Sequence, residues 1–457
     1  VKNRLRVGYE RNRQSGASTS PDLIVAIPGI GGSALERNGK LLWDTSKWSV
    51  LRNLFDVEYV RALSLPPSGE EAAVVATRLV SGITVLPGLP SYGSYGPLTS
   101  ALRDAYGRQN VAEFPYDWRR SNRVTAAKLD EFVKVELEKR TEGTAIVLIG
   151  HSMGGLVARH WLMTSQLAFR CRLLVSLGTP FRGATKALTA IANGIGPSSH
   201  LSDALAKTFR TMPSVFELLP TYACLDSNGV GSGRRHLDPG TSPIQLTALE
   251  AANYEAALGG AICSVSDVLA EHVAIVSDHQ PTPTIGVFRA GVFVPREYGA
   301  VSVGDGTVPR GSMQPHEWRD VSAGAIPVTA RHVNLPTSKH VIRAVLSTID
   351  GRERLTLSPD APATFQIDLP QVVRCEDALD LVAETSTDQV RVTAIATELR
   401  SGEQAVRELR RSDLDNGGYG FRARFTDLAE GVYVVRVAGD IDGQHQTLDE
   451  VVFVYNA

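Results

Sequence analysis

Cysteine is scarce. The 457 residues carry four, Cys171, Cys224, Cys263 and Cys375, widely scattered and with no C-x-x-C pair. Zinc-ligand spacing is therefore absent, no metal site is expected, and free buried thiols are a better reading than a Cys224–Cys263 bridge. Cys171, at the head of an apolar run, reads as core. An excess of one charge is missing too. Lys+Arg is 47 and Asp+Glu is 49, a formal net charge of -2. That balance gives nucleic acid nothing to bind and sets up no field for an acidic substrate. No apolar run approaches the roughly 18 residues of a membrane helix. The opening VKNRLRVGYERNRQSGASTSPD is basic and polar, without the apolar stretch of a secretory signal. A soluble, cytoplasmic protein is the expectation. Internal repeats and low-complexity segments are also absent. What remains is an ordinary globular composition, 43% hydrophobic and 21% charged, long enough for one large and one small domain.

The first part of the chain alternates strand and helix. Leu23–Ile27 (LIVAI), Ala145–Ile149 (AIVLI) and Leu173–Leu177 (LLVSL) are short continuous apolar runs, suited to strands buried on both faces. Between them, Pro97–Tyr106 and Val124–Lys139 show helical spacing, and Leu156–Thr164 follows as a helix. Such alternation predicts a mostly parallel sheet with helices on both faces, an α/β class fold, whose ligands bind at the strand C-terminal ends. Two long excursions, about 39–89 and 184–280, interrupt it and read as cap or lid insertions. Alternation resumes at Thr284–Phe288 and Ile326–Thr329, and a last helix, Lys339–Ile349, is capped by Ser338. From 351 to 457 the pattern changes to period-2 runs such as TFQIDL, YGFRARF, GVYVVRV and EVVFVY, split by turn signals. This is an all-β sandwich signature. The division is then 1–350 and 351–457, the second unit being a packing or binding appendage for a partner of unknown kind.

The chemistry sits in the first unit. Gly150-His151-Ser152-Met153-Gly154-Gly155 contains G-x-S-x-G between strand AIVLI and helix LVARHWLMT, the context of a nucleophile elbow. A Ser on so tight a turn is pushed above the sheet, and the following N–H, that of Met153, lies at a helix N-terminus where it can stabilise an oxyanion. The loop Ile27–Ser33 (IPGIGGS) follows the first strand and offers the second donor, Gly31 N–H; with neither G-x-G-x-x-G nor a Walker lysine, it is not a nucleotide loop. A Ser hydroxyl needs a base, and the base an orienting carboxylate, in the chain order Ser, acid, His. Asp305, in VGDGTVP, is the acid. His332, in the loop after the last strand-like run, is the base, with His340 on the final helix as the alternative. His316 sits too soon after Asp305. His151 is expected to turn into the sheet–helix packing, and His160 to be structural.

PGIGGS (Pro28–Ser33), YDWR (Tyr116–Arg119), GHSMGG (Gly150–Gly155), GTPFRG (Gly178–Gly183), PSVFELLPTY (Pro213–Tyr222) and GDGTVP (Gly304–Pro309), in this order over roughly 22–350, resemble the lecithin:cholesterol acyltransferase-like family. That group includes phospholipid:diacylglycerol acyltransferases, a lysosomal phospholipase and bacterial lipase-like proteins. The resemblance implies an α/β-hydrolase core with a membrane-contacting cap, and acyl ester chemistry on lipids without a cofactor. It places Ser152, Asp305 and His332 on the triad and Gly31 and Met153 on the oxyanion donors, with Tyr116–Arg119 as a structural or pocket-lining loop. An Ig-like C-terminal sandwich is not part of the family core and suggests a bacterial architecture. Three functions follow as alternatives: a lipid ester hydrolase, an acyltransferase passing the chain to an alcohol, or a catalytically inactive hydrolase-fold binding module.

Overall fold

The computed structural model describes residues 22–44, 56–68, 71–80, 85–86, 89–90, 95–194, 199–226, 234–237, 270–277, 279–289, 292–296, 302–315, 317–318, 324–351, 365–370, 372–385, 390–398, 400–413, 419–441 and 444–455. The opening stretch 1–21, the period-2 run RLTLS at 354–358, His316, Cys263 and most of the span 227–269 lie outside the described residues.

Six strands make the central sheet: β1 (Leu23–Ile27), β2 (Val111–Glu113), β3 (Ile146–His151), β4 (Cys171–Leu177), β5 (Glu271–Ser277) and β6 (Ala325–Val328). Their order is β6-β5-β4-β3-β1-β2, and every neighbouring pair is parallel. The continuous apolar runs have a simple cause: both faces are covered. Leu23, Val25, Ile27 and Leu148 face a layer holding Leu129, Val133, Val157 and Trp161, from helices Asn122–Glu138 and Met153–Thr164. Ile24, Val147 and Ile149 face the opposite layer, with Leu98 and Leu102 from helix Gly96–Tyr106 and Val341 and Val345 from helix Lys339–Ile349. This is the parallel α/β sheet with helices on both faces expected from the sequence. From β1 the chain steps to β2 on one side and then to β3 on the other. The C-terminal ends of β1 and β3 therefore flank a topological switch point, where such sheets bind ligands.

Two expectations about the sheet need correction. Glu271–Ser277, inside the span assigned to the cap, is strand β5 of the central sheet, with its last five residues buried. The run taken to resume the alternation, Thr284–Phe288, joins a different sheet: Ile285–Arg289 pairs with Val292–Arg296 and with Leu225–Asp226. A short apolar run shows that a strand is buried, not which sheet it joins. Part of the earlier excursion is also regular. Ser33–Arg37, Lys40–Trp43 and Val74–Leu79 form a three-stranded antiparallel sheet that starts directly after the loop at the end of β1.

Beyond residue 351 lie two further sheets. Phe365–Asp368, Leu379–Thr385, Tyr419–Phe425 and Arg410–Asp413 are antiparallel throughout. Val372–Arg374, Gln444–Tyr455, Gly431–Ile441, Val392–Glu398 and Gln404–Glu408 make the second sheet, antiparallel except at its Val372–Arg374 edge. Both contribute to one apolar core, including Leu381, Phe421 and Phe425 from the first and Ala394, Val435 and Val452 from the second. Strand Gly431–Ile441 is apolar on both faces for a reason. Tyr433, Val435 and Val437 face that core, whereas Val432 and Val434 belong to the core around the central sheet. Each such valine contributes about 1.5–3 kcal/mol on full burial.

Candidate active site

Ser152 ends β3 and caps helix Met153–Thr164 with φ 53 and ψ -126. A non-glycine residue holds this conformation only where its surroundings enforce it. The enforcement is local: Ser152 N–H donates to Leu177 O of β4 at 2.8 Å, and Gly155 N–H donates back to Ser152 O at 3.0 Å. The start of the helix also runs against the end of β1. A β-carbon on Gly154 would stand 2.4 Å from the Ile27 carbonyl oxygen, so any side chain there would drive the turn apart. Met153 N–H is the first amide of that helix, one of the group left without an intrahelical acceptor.

His332 Nε2 lies 2.9 Å from Ser152 Oγ. Its Nδ1 lies 2.6 Å from Asp305 Oδ2. The other carboxylate oxygen, Oδ1, accepts the Thr307 N–H at 2.9 Å and the Val308 N–H at 2.6 Å. His332 N–H donates to Asp305 O at 2.9 Å, which ties the two loops by backbone as well. All three residues are buried, Ser152 retaining 7% exposure and Asp305 1%. The consistent assignment puts the imidazole proton on Nδ1, facing the carboxylate, and leaves Nε2 free to accept from the hydroxyl. The alternative base, His340, is exposed on the first turn of the last helix. Among the described residues, no group of three His, Cys, Asp or Glu side chains could hold a metal ion.

Room for the Asp–His pair comes from Gly178, at the end of β4. A β-carbon there would stand 2.9 Å from Asp305 Oδ2 and 3.1 Å from His332 Nδ1, and 2.6 Å from Leu335 Cδ1. Its φ of 57 adds backbone strain for any other residue. Gly178→Ala is expected to push the carboxylate and imidazole apart and lower turnover of an activated ester by about 10²-fold, the size of effect a 1 Å misplacement has. Steady-state kinetics on a p-nitrophenyl ester check this, and unchanged kcat would contradict it.

The loop after β1 faces the same turn. A β-carbon on Gly29 would touch Ser152 Cβ at 2.9 Å. Two of the loop amides are engaged: Gly29 N–H donates to Tyr95 Oη at 2.8 Å and Gly32 N–H to Gly29 O at 3.0 Å. Ile30 and Gly31 supply the remaining two N–H groups. The loop is held from behind by indole and phenol donors. Trp43 Nε1 donates to Gly31 O at 2.8 Å, Tyr116 Oη to Pro28 O at 2.7 Å, and Trp118 Nε1 to Ser33 O at 3.2 Å. Arg119 in turn pairs with Asp117 and reaches Glu71 at 3.1 Å. Tyr116–Arg119 is thus a brace for the loop, and Trp43, which nothing in the sequence marked, is a second one.

His151 overturns its expectation. It does not enter the sheet–helix packing. Its Nδ1 lies 2.8 Å from Tyr95 Oη and its Nε2 3.0 Å from the His332 carbonyl oxygen. Tyr95 accepts from Gly29 and donates to His151, which donates to His332 O. One buried strut thereby links the loop after β1 to the loop carrying His332. Burial, with a smaller contribution from His332, pushes the His151 imidazole down to about 3, so it is neutral near pH 7. Burial does the same to His272 of β5, also down to about 3, and drives His160 down to about 4.

Acid sensitivity follows. These imidazoles are neutral when folded and charge on unfolding, so stability is full above about pH 6.5 and falls as pH drops toward the folded values. Each fully buried one sheds roughly 1.4 kcal/mol per pH unit in that window. Tm is expected to fall steeply from pH 6.5 to 4, and His272→Gln to flatten that slope. An identical slope in the variant would contradict the assignment.

Residues 99–255 match the family model described as lecithin:cholesterol acyltransferase. That span holds the Tyr116–Arg119 brace, the Ser152 turn, Gly178 and the segment Pro213–Tyr222, and ends before Asp305 and His332. No curated protein matches the chain. Among solved structures the chain is similar to the Bacillus licheniformis lipase BlEst2 in its propeptide form, at 11% identity over 95% of this chain and 94% of that one with a TM-score of 0.37. The mature form matches at 13% identity over 73% and 91%, TM-score 0.33. A DUF4426 family protein from Pseudomonas aeruginosa PAO1 matches 21% of this chain over 93% of its own, at 14% identity and TM-score 0.18.

Proposed function

We propose that this chain is a serine acyl-hydrolase or acyltransferase for lipid esters, working through an acyl-enzyme on Ser152. The observation that carries the reading is the unbroken line of hydrogen bonds from Ser152 Oγ through His332 to Asp305, set at the switch point of the sheet. His332 Nε2 takes the hydroxyl proton as Oγ attacks the ester carbonyl carbon. Asp305 holds the Nδ1–H tautomer and stabilises the imidazolium. The carbonyl oxygen becomes an oxyanion and is received by Met153 N–H and Gly31 N–H, with Ile30 N–H the other unengaged amide of that loop. As the tetrahedral centre collapses, His332 returns the proton to the leaving alcohol. Water or a second alcohol, deprotonated by His332, then takes the acyl group from Ser152.

A lipid ester as substrate is supported by the family match over residues 99–255. A cap that rests on a membrane surface belongs to the same reading. Among the described residues no helix is long and apolar enough to cross a membrane. The chain divides near residue 350 in this account, supported by the change from a helix-covered parallel sheet to two sheets around a core of their own.

The test is a panel of phospholipid, acylglycerol and p-nitrophenyl esters, each with and without a long-chain alcohol or sterol, with released and transferred acyl chains both quantified. Ester cleavage blocked by a serine-directed fluorophosphonate is the expected result. Transfer exceeding release assigns an acyltransferase, and the reverse a hydrolase. No cleavage of any ester would overturn the reading.

A further inference from the structure

The residue before the proposed base is Arg331, and its side chain reaches from the first unit to the C-terminal sandwich. Arg331 Nη1 pairs with Glu450 on strand Gln444–Tyr455, and Nη2 donates to Ile367 O on strand Phe365–Asp368 at 3.1 Å. These acceptors come one from each of the two C-terminal sheets. The pair is nearly dry: the Arg331 side chain is 11% exposed and that of Glu450 10%. On its way the guanidinium passes beside Gly306, the neighbour of Asp305; a β-carbon on Gly306 would meet Arg331 Nη2 at 3.5 Å and Nε at 3.6 Å. The backbone of the next residue, His332, is tied to Asp305 O. Arg331 thus lies against both loops that carry the Asp305–His332 pair, and its charged end is fixed by the C-terminal sandwich.

We propose that Arg331 and Glu450 are positioning residues, through which the C-terminal sandwich holds His332 in register with Ser152 and Asp305. Resting on the acyl-enzyme reading, this makes the sandwich a working part of the catalytic site and not an appendage. The physical reason is stiffness. The His332 loop is a single turn, His332–Asn334, held by the His151 strut and by Asp305 O, and Arg331 adds a hold from the C-terminal sandwich. A charged hydrogen bond inside a nearly dry interface is strong and directional. The sandwich is itself anchored on the central core by Val432 and Val434, so the tether pulls against a fixed point.

The experiment measures the rate of fluorophosphonate labelling of Ser152, kcat and KM on p-nitrophenyl butyrate, and Tm, all in the full chain. Glu450→Ala is expected to slow labelling and lower kcat by about 10-fold with KM within 2-fold, as expected when orientation is lost and binding is kept. Arg331→Met with Glu450→Ala is expected to slow labelling by less than the product of the two single substitutions, since they share the Arg331–Glu450 contact. Removing one partner of a buried pair can prevent folding. Glu450→Gln keeps the shape and an acceptor, and is expected to fold and to slow labelling about 3-fold. Val452→Ala, two residues along the strand and inside the sandwich core, is the control: it lowers Tm and labels at the wild-type rate. Folded Glu450→Gln and Glu450→Ala that both label at the wild-type rate overturn the proposal. So does a Val452→Ala slowed as much as they are. A wild-type chain that fails to label at Ser152 overturns the acyl-enzyme reading instead, so the two failures are distinguishable.

Discussion

Ser152→Ala is expected to reduce kcat on an activated ester by on the order of 10⁵-fold while leaving KM and Tm nearly unchanged. A methyl in place of the hydroxymethyl group removes the atom that forms the acyl-enzyme and nothing that binds substrate. The residue keeps its turn, because Leu177 O and Gly155 N–H hold it by backbone alone. Residual catalysis of about 10³-fold over water is expected to persist through the oxyanion donors. His340→Ala is the matched control, since that imidazole is solvent-exposed; kinetics within 2-fold of wild type are expected. A Ser152→Ala variant retaining more than a few per cent of wild-type kcat would contradict the proposed nucleophile.

The second large effect is expected from Asp305→Asn, at about 10⁴-fold in kcat. The substitution is close to isosteric, so Oδ1 still accepts the Thr307 and Val308 N–H groups, and the loop is expected to keep its shape. The amide nitrogen then faces His332 Nδ1 in place of the carboxylate oxygen. Two donors cannot share that bond, so the imidazole proton moves to Nε2, where it opposes the Ser152 hydroxyl. The loss is thus one of tautomer and not of structure. An unchanged Tm with collapsed kcat and slowed fluorophosphonate labelling is the predicted signature. Full activity in Asp305→Asn would remove the carboxylate from the mechanism.

Much of the fold was legible before any coordinates, and the reason is local. LIVAI, AIVLI and LLVSL are runs that only a doubly covered parallel strand uses comfortably, and each lies in the central sheet. Helix Lys339–Ile349 carries its own start signal in Ser338, whose hydroxyl accepts the Val341 N–H. The period-2 texture after 351 became two sheets around one core. Ser152, Asp305 and His332, singled out by motif and order, lie in one hydrogen-bonded line, and their chemical roles stand as the proposal above.

What was not legible depends on distance along the chain. The membership of Glu271–Ser277 in the central sheet is decided by its neighbours β4 and β6, not by its own residues. His151 was expected to face the packing because flanking residues of a tight turn have no sequence signature for direction. Its partners lie 56 and 181 residues away. Trp43 braces Gly31 from a segment that reads as an excursion. Arg331 and Glu450 are 119 residues apart, and a lone Arg beside a His carries no signal that it reaches another unit.

The most direct measurement of the central claim is a rapid quench of the wild-type chain turning over a slow ester, followed by intact-mass analysis and peptide mapping. The account predicts a transient mass increase equal to one acyl group, located on the peptide containing Ser152 and absent in Ser152→Ala. Turnover with no covalent acyl species, or an acyl group carried by another residue, would contradict it.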